Sequence, residues 1–341
     1  MKKVTIADIA KMAGVSTATV IRVLHNNGYV AEDKRLAVTK VIKETGYVTV
    51  SKPRTSDDTR LIGIIQPCSH NLYHQKLLEY LVLYIRRQGY HAVIHILEEN
   101  DKKAFQEIIK EMKEIGICGA ICLADLGNDA GRTTLERLQE RKIPVLMLER
   151  GGGYGFDRVL VDTKEGVYMA ASYLIQSGHT HLAYIGRNVS SEPYEVDVDN
   201  DRVNGYKKAI WDHQSRIRES IMEFTEDFCK EQGYLAMKKI WENSSVTGVV
   251  ATADSLAAGA MEFLYENRIN VPGDVSIIGH DDTYAEFLSP ALTTIAMPYE
   301  EMAKTAVDLI IKREENSTDT AAKRLVLSPK LILRNSVTEV K

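Results

Sequence analysis

The apolar residues of the first fifty positions recur with the period of an α-helix. From Ile6 to Ala13 they follow the spacing i, i+3, i+4, i+7, which predicts a first helix that begins just after Thr5. Gly14 suits the left-handed turn that ends a helix, and Ser16 is a residue type that caps the start of the next one. The pattern therefore predicts two short helices joined by a tight turn.

The second predicted helix has two unlike faces. One face carries the apolar residues Val20, Val23 and Leu24. The opposite face carries small, polar and cationic residues, namely Thr17, Ala18, Ile21 and Arg22. A third helix with its own apolar stripe follows and ends at residues 44–47. We therefore predict a helix-turn-helix domain over residues 1–47, with a plain three-helix bundle as the alternative.

From residue 61 onward, short apolar runs alternate with amphipathic stretches. The runs lie at residues 61–65, 91–96, 120–123, 144–148, 182–186, 248–251 and 275–279. Helical stretches between them, such as 75–88 and 254–267, form βαβ units and hence parallel sheets. We therefore predict an α/β protein in which a small all-α head precedes a core of two doubly wound lobes. Ligands of such lobes bind at the carboxyl ends of the strands, here in the cleft between the lobes.

The charge of the chain is unevenly distributed. Residues 1–60 hold 11 Lys and Arg against 6 Asp and Glu, a net charge of +5, and the remaining residues hold 32 against 41, a net charge of −9. A basic end on an acidic body is expected when only that end meets a polyanion such as DNA. A solvated basic terminus would explain the charge equally well.

Several classes of protein are excluded by the composition. No run of about 18 apolar residues is present, and the first residues become charged at once, so we expect a cytoplasmic protein rather than a membrane or secreted one. The sequence has no second Cys/His pair at zinc-ligand spacing to accompany Cys118 and Cys122. All four cysteines are therefore interpreted as small apolar side chains: Cys68, Cys118, Cys122 and Cys229. No metal and no cofactor are predicted.

The polar face of the second helix carries groups that can read base pairs. Arg22 can donate hydrogen bonds to a guanine edge or a phosphate, Thr17 can donate or accept, and Ala18 can pack against a thymine methyl group. We therefore predict that this helix enters the major groove of DNA.

Residues 4–24, VTIADIAKMAGVSTATVIRVL, resemble the DNA-binding head of the lactose/galactose repressor family, and the match continues through Val30 and Gly46. The resemblance implies a transcription regulator that binds double-stranded operator DNA. The operator contacts that we predict are Thr5, Ser16, Thr17, Ala18, Thr19, Ile21, Arg22 and Tyr29. The family usually has Ser where Ile21 stands, so a polar contact to the DNA backbone is replaced by an apolar one.

Residues 48–60 depart from the family pattern. The family has a short hinge helix here, with a Leu that wedges into the minor groove, but this stretch lacks that Leu and has Pro53 in its middle. Proline and short polar neighbours disfavour a helix. We therefore predict a basic linker, an atypical hinge, in which Lys52, Arg54 and Arg60 can touch phosphates.

The rest of the chain resembles the effector-binding core of the same family, which is shaped like a type I periplasmic binding protein. The matching segments are IPVLMLER (143–150), SGH (177–179), RVNGY (202–206), VPGDVSIIGHDD (271–282), PALTTI (290–295) and LRNSV (333–337). The resemblance implies that the chain crosses three times between lobes. The effector-binding core of residues 61–341 would then have about 61–161 plus 293–321 in lobe 1 and about 162–289 plus 322–341 in lobe 2.

The resemblance also implies which side chains hold the effector. Arg202 and Asp281 match charged effector ligands, and Phe228 matches an aromatic side chain that lines the cleft. Glu149 stands where the family usually has Asp, and Tyr73 is predicted to form a second wall. A guanidinium can fork onto two hydroxyls or a carboxylate, while carboxylates accept protons from hydroxyl or ammonium groups.

The family's Asn ligand just before Asp254 is absent, although several acids remain. The glycine-rich loop 151–156 is predicted to act as a lid rather than to cradle a nucleotide. We therefore expect a sugar-like polyol as effector, either neutral or amino-substituted.

The leading hypothesis is a homodimeric, ligand-gated repressor of metabolic genes, because two heads are needed to read the half-sites of a pseudo-palindromic operator. The end of the sequence shows no Leu heptad, so a tetramer-forming tail is not expected. A transcription activator of the same family is one alternative. An α/β sugar-active enzyme and a transport binding protein are the others, but the sequence has no phosphate loop or nucleophile elbow, so we predict no enzyme activity.

Overall fold

The computed structural model describes residues 6–24, 30–45, 60–68, 72–98, 102–123, 129–148, 155–187, 198–315 and 321–340. The chain divides into two units, residues 1–54 and residues 55–341. Among the helices of the described residues, none is both long enough and apolar enough to cross a membrane.

The described residues of the first unit form three helices, α1 (Ile6–Ala13), α2 (Thr17–Leu24) and α3 (Glu32–Thr45). Their apolar stripes meet in one small core, which consists of Ile9, Ala10, Val20, Val38 and Val41. Helices this short are marginal in isolation, so this shared core stabilises them. The three helices lie where the apolar periodicity predicted them.

The turn between α1 and α2 is fixed by local hydrogen bonds. Gly14 has a φ of 64°, in the left-handed region that glycine adopts without a steric penalty. The Val15 amide donates to the Ala10 carbonyl at 3.0 Å, and the Thr19 amide donates to the Ser16 hydroxyl at 3.2 Å. Ser16 therefore caps α2, as the sequence predicted.

The second unit alternates strands and helices. The strands are β1 (Leu61–Pro67), β2 (His91–Leu97), β3 (Gly119–Cys122), β4 (Val145–Leu148), β5 (Asp157–Val161), β6 (His181–Arg187), β7 (Glu219–Thr225), β8 (Gly248–Ala251), β9 (Ser276–Asp281), β10 (Thr293–Ala296), β11 (Arg324–Leu327) and β12 (Lys330–Ile332). The helices are α4 (Leu72–Arg87), α5 (Lys102–Ile115), α6 (Asp129–Gln139), α7 (Thr163–Gln176), α8 (Val198–Asp212), α9 (Lys230–Asn243), α10 (Asp254–Glu266) and α11 (Tyr299–Glu315).

These strands form two sheets, one in each lobe. Over the described residues, the sheet of lobe 1 has the order β11-β5-β4-β3-β1-β2 and is parallel throughout. The sheet of lobe 2 has the order β12-β10-β9-β8-β6-β7 and is parallel except for β12. This architecture confirms the predicted α/β class with a small helical head.

Helices cover both faces of each sheet. In lobe 1, α4 and α11 pack on one face, and α5 and α6 pack on the other. In lobe 2, α9 and α10 cover one face, and α7 and α8 cover the other. Strands covered on both faces are mostly apolar, which explains why apolar runs marked β8 and most of β1 and β9 in the sequence.

The segment from residue 293 onward differs from the predicted division into lobes. β10, expected in lobe 1, pairs with β9 in lobe 2, and β11, expected in lobe 2, pairs with β5 in lobe 1. Of the segment 293–321 that was predicted to return to lobe 1, α11 does so. The prediction was wrong by one strand at each boundary, because strands of four residues carry no sign of the sheet that they join.

A buried ion pair holds β11 beside β5. Arg313 donates to both carboxylate oxygens of Asp157, from Nε at 2.7 Å and from Nη2 at 2.8 Å. The Lys323 amide, just before β11, donates to the same carboxylate at 2.8 Å. A carboxylate that receives a two-pronged guanidinium and an amide fixes the geometry of three chain segments at once.

The loop predicted as a lid only partly falls in the described residues. Its residues 151–154 lie outside them. Phe156 is buried in the core cluster that α5 and α6 form with β3 and β4, so this end of the loop is anchored in lobe 1.

Candidate functional site

The exposed face of α2 carries the residues predicted to contact DNA. Thr17, Ala18 and Arg22 are exposed, and Ile21 is 45% exposed despite its apolar side chain. Val20, on the opposite face, is fully buried in the core of the head. This separation leaves a small, polar and cationic surface that a major groove can accept.

Ser16 and Thr19 have a structural role at the start of α2, where their hydroxyls form a hydrogen bond of 2.9 Å. Ser16 is exposed and Thr19 is half-buried. The remaining predicted contacts, Thr5 and Tyr29, lie outside the described residues.

A cleft of about 730 Å³ lies where the strands of the two lobes end. Lobe 1 contributes Cys68, Leu72 and Glu98 to its walls. Lobe 2 contributes Arg187, Glu226, Asp227, Phe228, Cys229, Lys230, Ser255, Asp281, Thr283 and Tyr284. The volume suits a small molecule, and the carboxyl ends of parallel strands are where such folds bind their ligands.

Two of the five predicted effector ligands, Phe228 and Asp281, line this cleft. Arg202 lies beside them on α8 but is only 7% exposed. Tyr73 is 5% exposed and packs in the core of lobe 1, with its ring 5.5 Å from that of Tyr299, so it is not a wall of the cleft. Glu149 lies outside the described residues. Tyr73 was mispredicted because helix α4 turns this side chain toward α11.

A pair of guanidinium groups shares one carboxylate at the floor of the cleft. The Arg187 Nε lies 3.1 Å from one oxygen of Asp199, and Arg202 Nη1 donates to the other oxygen at 3.3 Å. The Phe228 ring covers both cations, with its centroid 5.7 Å from the Arg187 guanidinium carbon and 5.3 Å from that of Arg202. A cation over an aromatic face gains electrostatic energy, so Phe228 helps to hold both arginines.

Asp281 ends β9 in a strained backbone conformation. Its φ is 97° and that of Asp282 is 53°, a left-handed pair that residues with a side chain rarely adopt. The Tyr299 hydroxyl donates to the Asp281 carbonyl at 2.9 Å, and the Lys76 ammonium group donates to the Asp282 carbonyl. Arg334 Nη2 donates to the Asp282 carboxylate at 2.7 Å. Side chains from both lobes therefore hold this turn.

The Asp281 carboxylate has partners within lobe 2. His280 Nδ1 lies 2.7 Å from one of its oxygens, and Arg202 Nη2 lies 3.8 Å from the same oxygen. Burial lowers the pKa of His280, so the imidazole is neutral near pH 7 and donates from Nδ1. The carboxylate is thus oriented before any ligand binds.

Asp254, at the start of α10, is a buried acid behind the cleft. It accepts hydrogen bonds from the Thr283 amide at 2.7 Å and from the Thr294 hydroxyl at 2.7 Å. Burial, followed by repulsion from Asp281, raises the pKa of Asp254 to about 7. Burial and the same two carboxylates also raise the pKa of Tyr284, which therefore faces the cleft as a neutral hydroxyl.

The cysteines divide into two classes by burial. Cys118 and Cys122 are buried in the lobe 1 core, and burial raises the pKa of the Cys118 thiol to about 12. Cys68 is exposed and Cys229 is half-buried, and they line the cleft from opposite lobes. The interpretation as small apolar side chains fits Cys118 and Cys122, whereas Cys68 and Cys229 face the cleft. Within the described residues, no group of three or more acidic, His or Cys side chains could hold a metal ion.

Sequence reasoning missed Arg187, Asp199 and Tyr284. Arg187 is the last residue of β6, and Asp199 lies one turn before Arg202 on α8. For Arg187, the available sequence signal was its place at the end of a buried strand. Charged residues at such places lie at the ligand-binding edge of a parallel sheet.

Comparison with known proteins places these features in context. A family profile of bacterial regulatory proteins, lacI family, matches residues 5–49, and a profile of the periplasmic binding protein-like domain matches residues 171–337. The HTH-type transcriptional repressor PurR of Erwinia tasmaniensis is 32% identical over 346 residues, which covers 98% of this chain and 97% of that relative.

Solved structures share the fold. A LacI family transcriptional regulator from Enterococcus faecium with bound ribose is 25% identical and has a TM-score of 0.70, over 82% of this chain and 100% of that one. The lac repressor dimer bound to operator and the anti-inducer ONPF has a TM-score of 0.72 at 21% identity, over 99% and 100% of the two chains.

Proposed function

We propose that this chain, a member of the lacI family of bacterial regulatory proteins, reads its operator with α2 and binds its effector in the cleft. Like its relatives, it is a ligand-responsive, DNA-binding repressor of transcription. The observation that carries this proposal is the cleft itself. Charged and aromatic side chains from the ends of β6, β7 and β9 converge on it and are held in place by buried partners.

The DNA half of the proposal rests on the surface of α2. Arg22 is the only cation on this helix, and Thr17 and Ala18 stand one turn before it on the same exposed face. A guanidinium that donates two hydrogen bonds to guanine contributes about 1–3 kcal/mol of discrimination against a wrong base. We therefore assign base reading chiefly to Arg22, with Ile21 as an apolar contact.

The effector half of the proposal assigns a sugar-like polyol, either neutral or amino-substituted. Hydroxyl groups of such a ligand can pair with Asp281 and Arg187, while the Phe228 ring covers an apolar face of its ring. Glu98, Glu226 and Asp227 add negative charge to the walls, which favours an ammonium substituent. The ribose-bound relative from Enterococcus faecium supports a polyol as the ligand class.

We further propose that two copies of the chain act together in the cytoplasm, where the operator is. Operators of this kind have two half-sites, and one chain carries one head. The edge strand β2 exposes Ile94 and Ile96, and the neighbouring helix α4 exposes Leu83, so lobe 1 has apolar surface that a second copy can cover. Its relatives are transcriptional regulators, which favours a protein without catalytic activity.

Fluorescence anisotropy with labelled DNA from upstream of the protein's own gene tests the DNA half. The wild type is expected to bind one site in that DNA about a thousandfold more tightly than random DNA. Arg22→Ala should remove most of this preference. Lys40→Ala, which deletes the same charge from the exposed side of α3, should keep it. Equal binding of both DNAs by the wild type would refute the proposal.

The effector half needs a separate measurement. A thermal-shift screen of neutral and amino sugars identifies ligands, and each hit is then added to the operator complex to measure its effect on affinity. Asp281→Asn should abolish the response to the ligand, whereas the same change at the exposed residue Asp274 should not. A full response in the Asp281→Asn variant would place the effector elsewhere.

A further inference from the structure

We propose that Asp199 determines the charge of the effector that the cleft accepts, by neutralising Arg187 and Arg202. The inference rests on the proposed function, since it concerns the ligand of the same cleft. It assigns neutral and cationic polyols as ligands and excludes carboxylates and phosphates. Without Asp199, the same two arginines would form an anion-binding site.

The geometry of Asp199 is that of a shared counter-ion. Each of its carboxylate oxygens faces a different guanidinium, at 3.1 Å for Arg187 and 3.3 Å for Arg202. The side chain of Asp199 is 6% exposed and that of Arg202 is 9% exposed, so water screens this contact little. Arg187 is 31% exposed and is the member of the cluster that lines the cleft.

Among the described residues, the charges at the floor of the cleft therefore balance. Arg187 and Arg202 carry two positive charges, and Asp199 and Asp281 carry two negative ones within 4 Å of them. A guanidinium that already pairs with a buried carboxylate offers little attraction to a second anion. An incoming anion would lose its hydration without gaining an uncompensated cation.

The described residues of the cleft walls add more negative than positive charge. Lys230 is the other cation among the lining residues that the structure describes, and its ammonium group lies 2.7 Å from a carboxylate oxygen of Glu262. Three acids line the cleft in addition to Asp281, namely Glu98, Glu226 and Asp227. An anionic ligand would thus face negative walls above a neutral floor, while an ammonium group would be attracted.

Asp199→Asn tests the inference directly, because it removes one negative charge and changes the shape very little. The floor then holds two guanidinium groups against one carboxylate. Paired guanidinium groups bind phosphate through two-pronged hydrogen bonds. We therefore expect this variant to bind inorganic phosphate at least about tenfold more tightly than the wild type does.

Titration calorimetry of the full chain with inorganic phosphate and with gluconate is the measurement. The wild type should bind neither anion, and Asp199→Asn should bind both. A wild type that binds these anions, or a folded Asp199→Asn variant that gains no anion affinity, would overturn the proposal. If Asp199→Asn does not fold, Asp199→Ser removes the same charge with a smaller side chain and is held to the same expectation.

Two further variants separate a local effect from a general change of surface charge. Asp212→Asn removes a carboxylate from the same helix, where it pairs with Lys208, and should gain no phosphate binding. Adding Arg187→Gln to Asp199→Asn should cancel the gain, because it removes the guanidinium group that lines the cleft. Phosphate binding that persists in this double variant would contradict the assignment.

The experiment is independent of the operator assay. If the wild type fails to bind operator DNA, the proposed function is refuted and the phosphate result still stands. If operator binding responds to a neutral sugar but Asp199→Asn gains no anion affinity, only the charge-setting role of Asp199 is refuted.

Discussion

Replacing Asp254 by Asn should flatten the pH dependence of the stability of lobe 2. Asp254 is 1% exposed and accepts hydrogen bonds from the Thr283 amide and from the Thr294 hydroxyl. Burial and the nearby charge of Asp281 raise its pKa from 3.8 to about 7. Asn has the same shape, and its amide group can donate to the Thr294 hydroxyl, so the packing is retained.

The sign of the effect follows from the number of protons bound. Between pH 4 and pH 7 the folded chain keeps a proton on Asp254 that the unfolded chain has released. The contribution of this group to the free energy of unfolding therefore falls as the pH rises through that window. Each pH unit corresponds to about 1.4 kcal/mol, so the wild type should lose about 3 kcal/mol relative to Asp254→Asn between pH 5 and pH 8.

Urea unfolding followed by tryptophan fluorescence measures this difference. Both tryptophans, Trp211 on α8 and Trp241 on α9, lie in lobe 2 and report on the lobe that holds Asp254. Taking the difference between the two proteins cancels the titration of His179 and His280, whose pKa values are lowered by burial in both. Parallel stability curves for wild type and variant would refute the argument. Asp274→Asn supplies the same chemical change at an exposed site.

Three other substitutions test parts of the framework. Gly14→Ala places a side chain at a φ of 64° in open space, so backbone strain alone should lower the stability of the head by about 1 kcal/mol. This loss should appear as about fivefold faster hydrogen exchange in α1 and α2 of the full chain. Arg313→Lys loses the two-pronged contact with Asp157 and should lower the free energy of unfolding by about 2 kcal/mol, measured by urea unfolding. Lys76→Met leaves the Asp282 carbonyl without this donor and should cost about 1–2 kcal/mol, measured by thermal melting, whereas an unchanged melting temperature would show that the contact does not join the lobes.

The parts of the fold that the sequence predicted best are those set by local interactions. The helical stretch predicted at residues 254–267 is α10 (Asp254–Glu266), and the apolar run predicted as a strand at residues 248–251 is β8. In the head, Gly14 and Ser16 mark the turn between two helices through their own backbone and side-chain chemistry. Apolar periodicity predicts such elements well wherever capping or turn residues mark both ends of the pattern.

The parts that could not be predicted depend on contacts between distant segments. β10 and β11 are both only four residues long, and their pairing with β9 and β5 decides the lobe of each. In the candidate site, the motif around Arg202 was found, but Arg187 was not, because nothing near it in sequence reveals that the two share Asp199. Exposure is also a tertiary property, which is why Arg202 and Tyr73 were expected on the surface of the cleft and are buried.

The two cleft thiols, Cys68 and Cys229, offer natural labelling sites for measuring the distance between the lobes. Cys68 follows the first strand of lobe 1 and Cys229 precedes α9 in lobe 2, while the remaining two cysteines of the chain are buried. A thiol-directed spin label would therefore attach at these two positions in the unaltered sequence. The separation of the labels then records, molecule by molecule, how far the lobes open and close as a ligand or an operator is added.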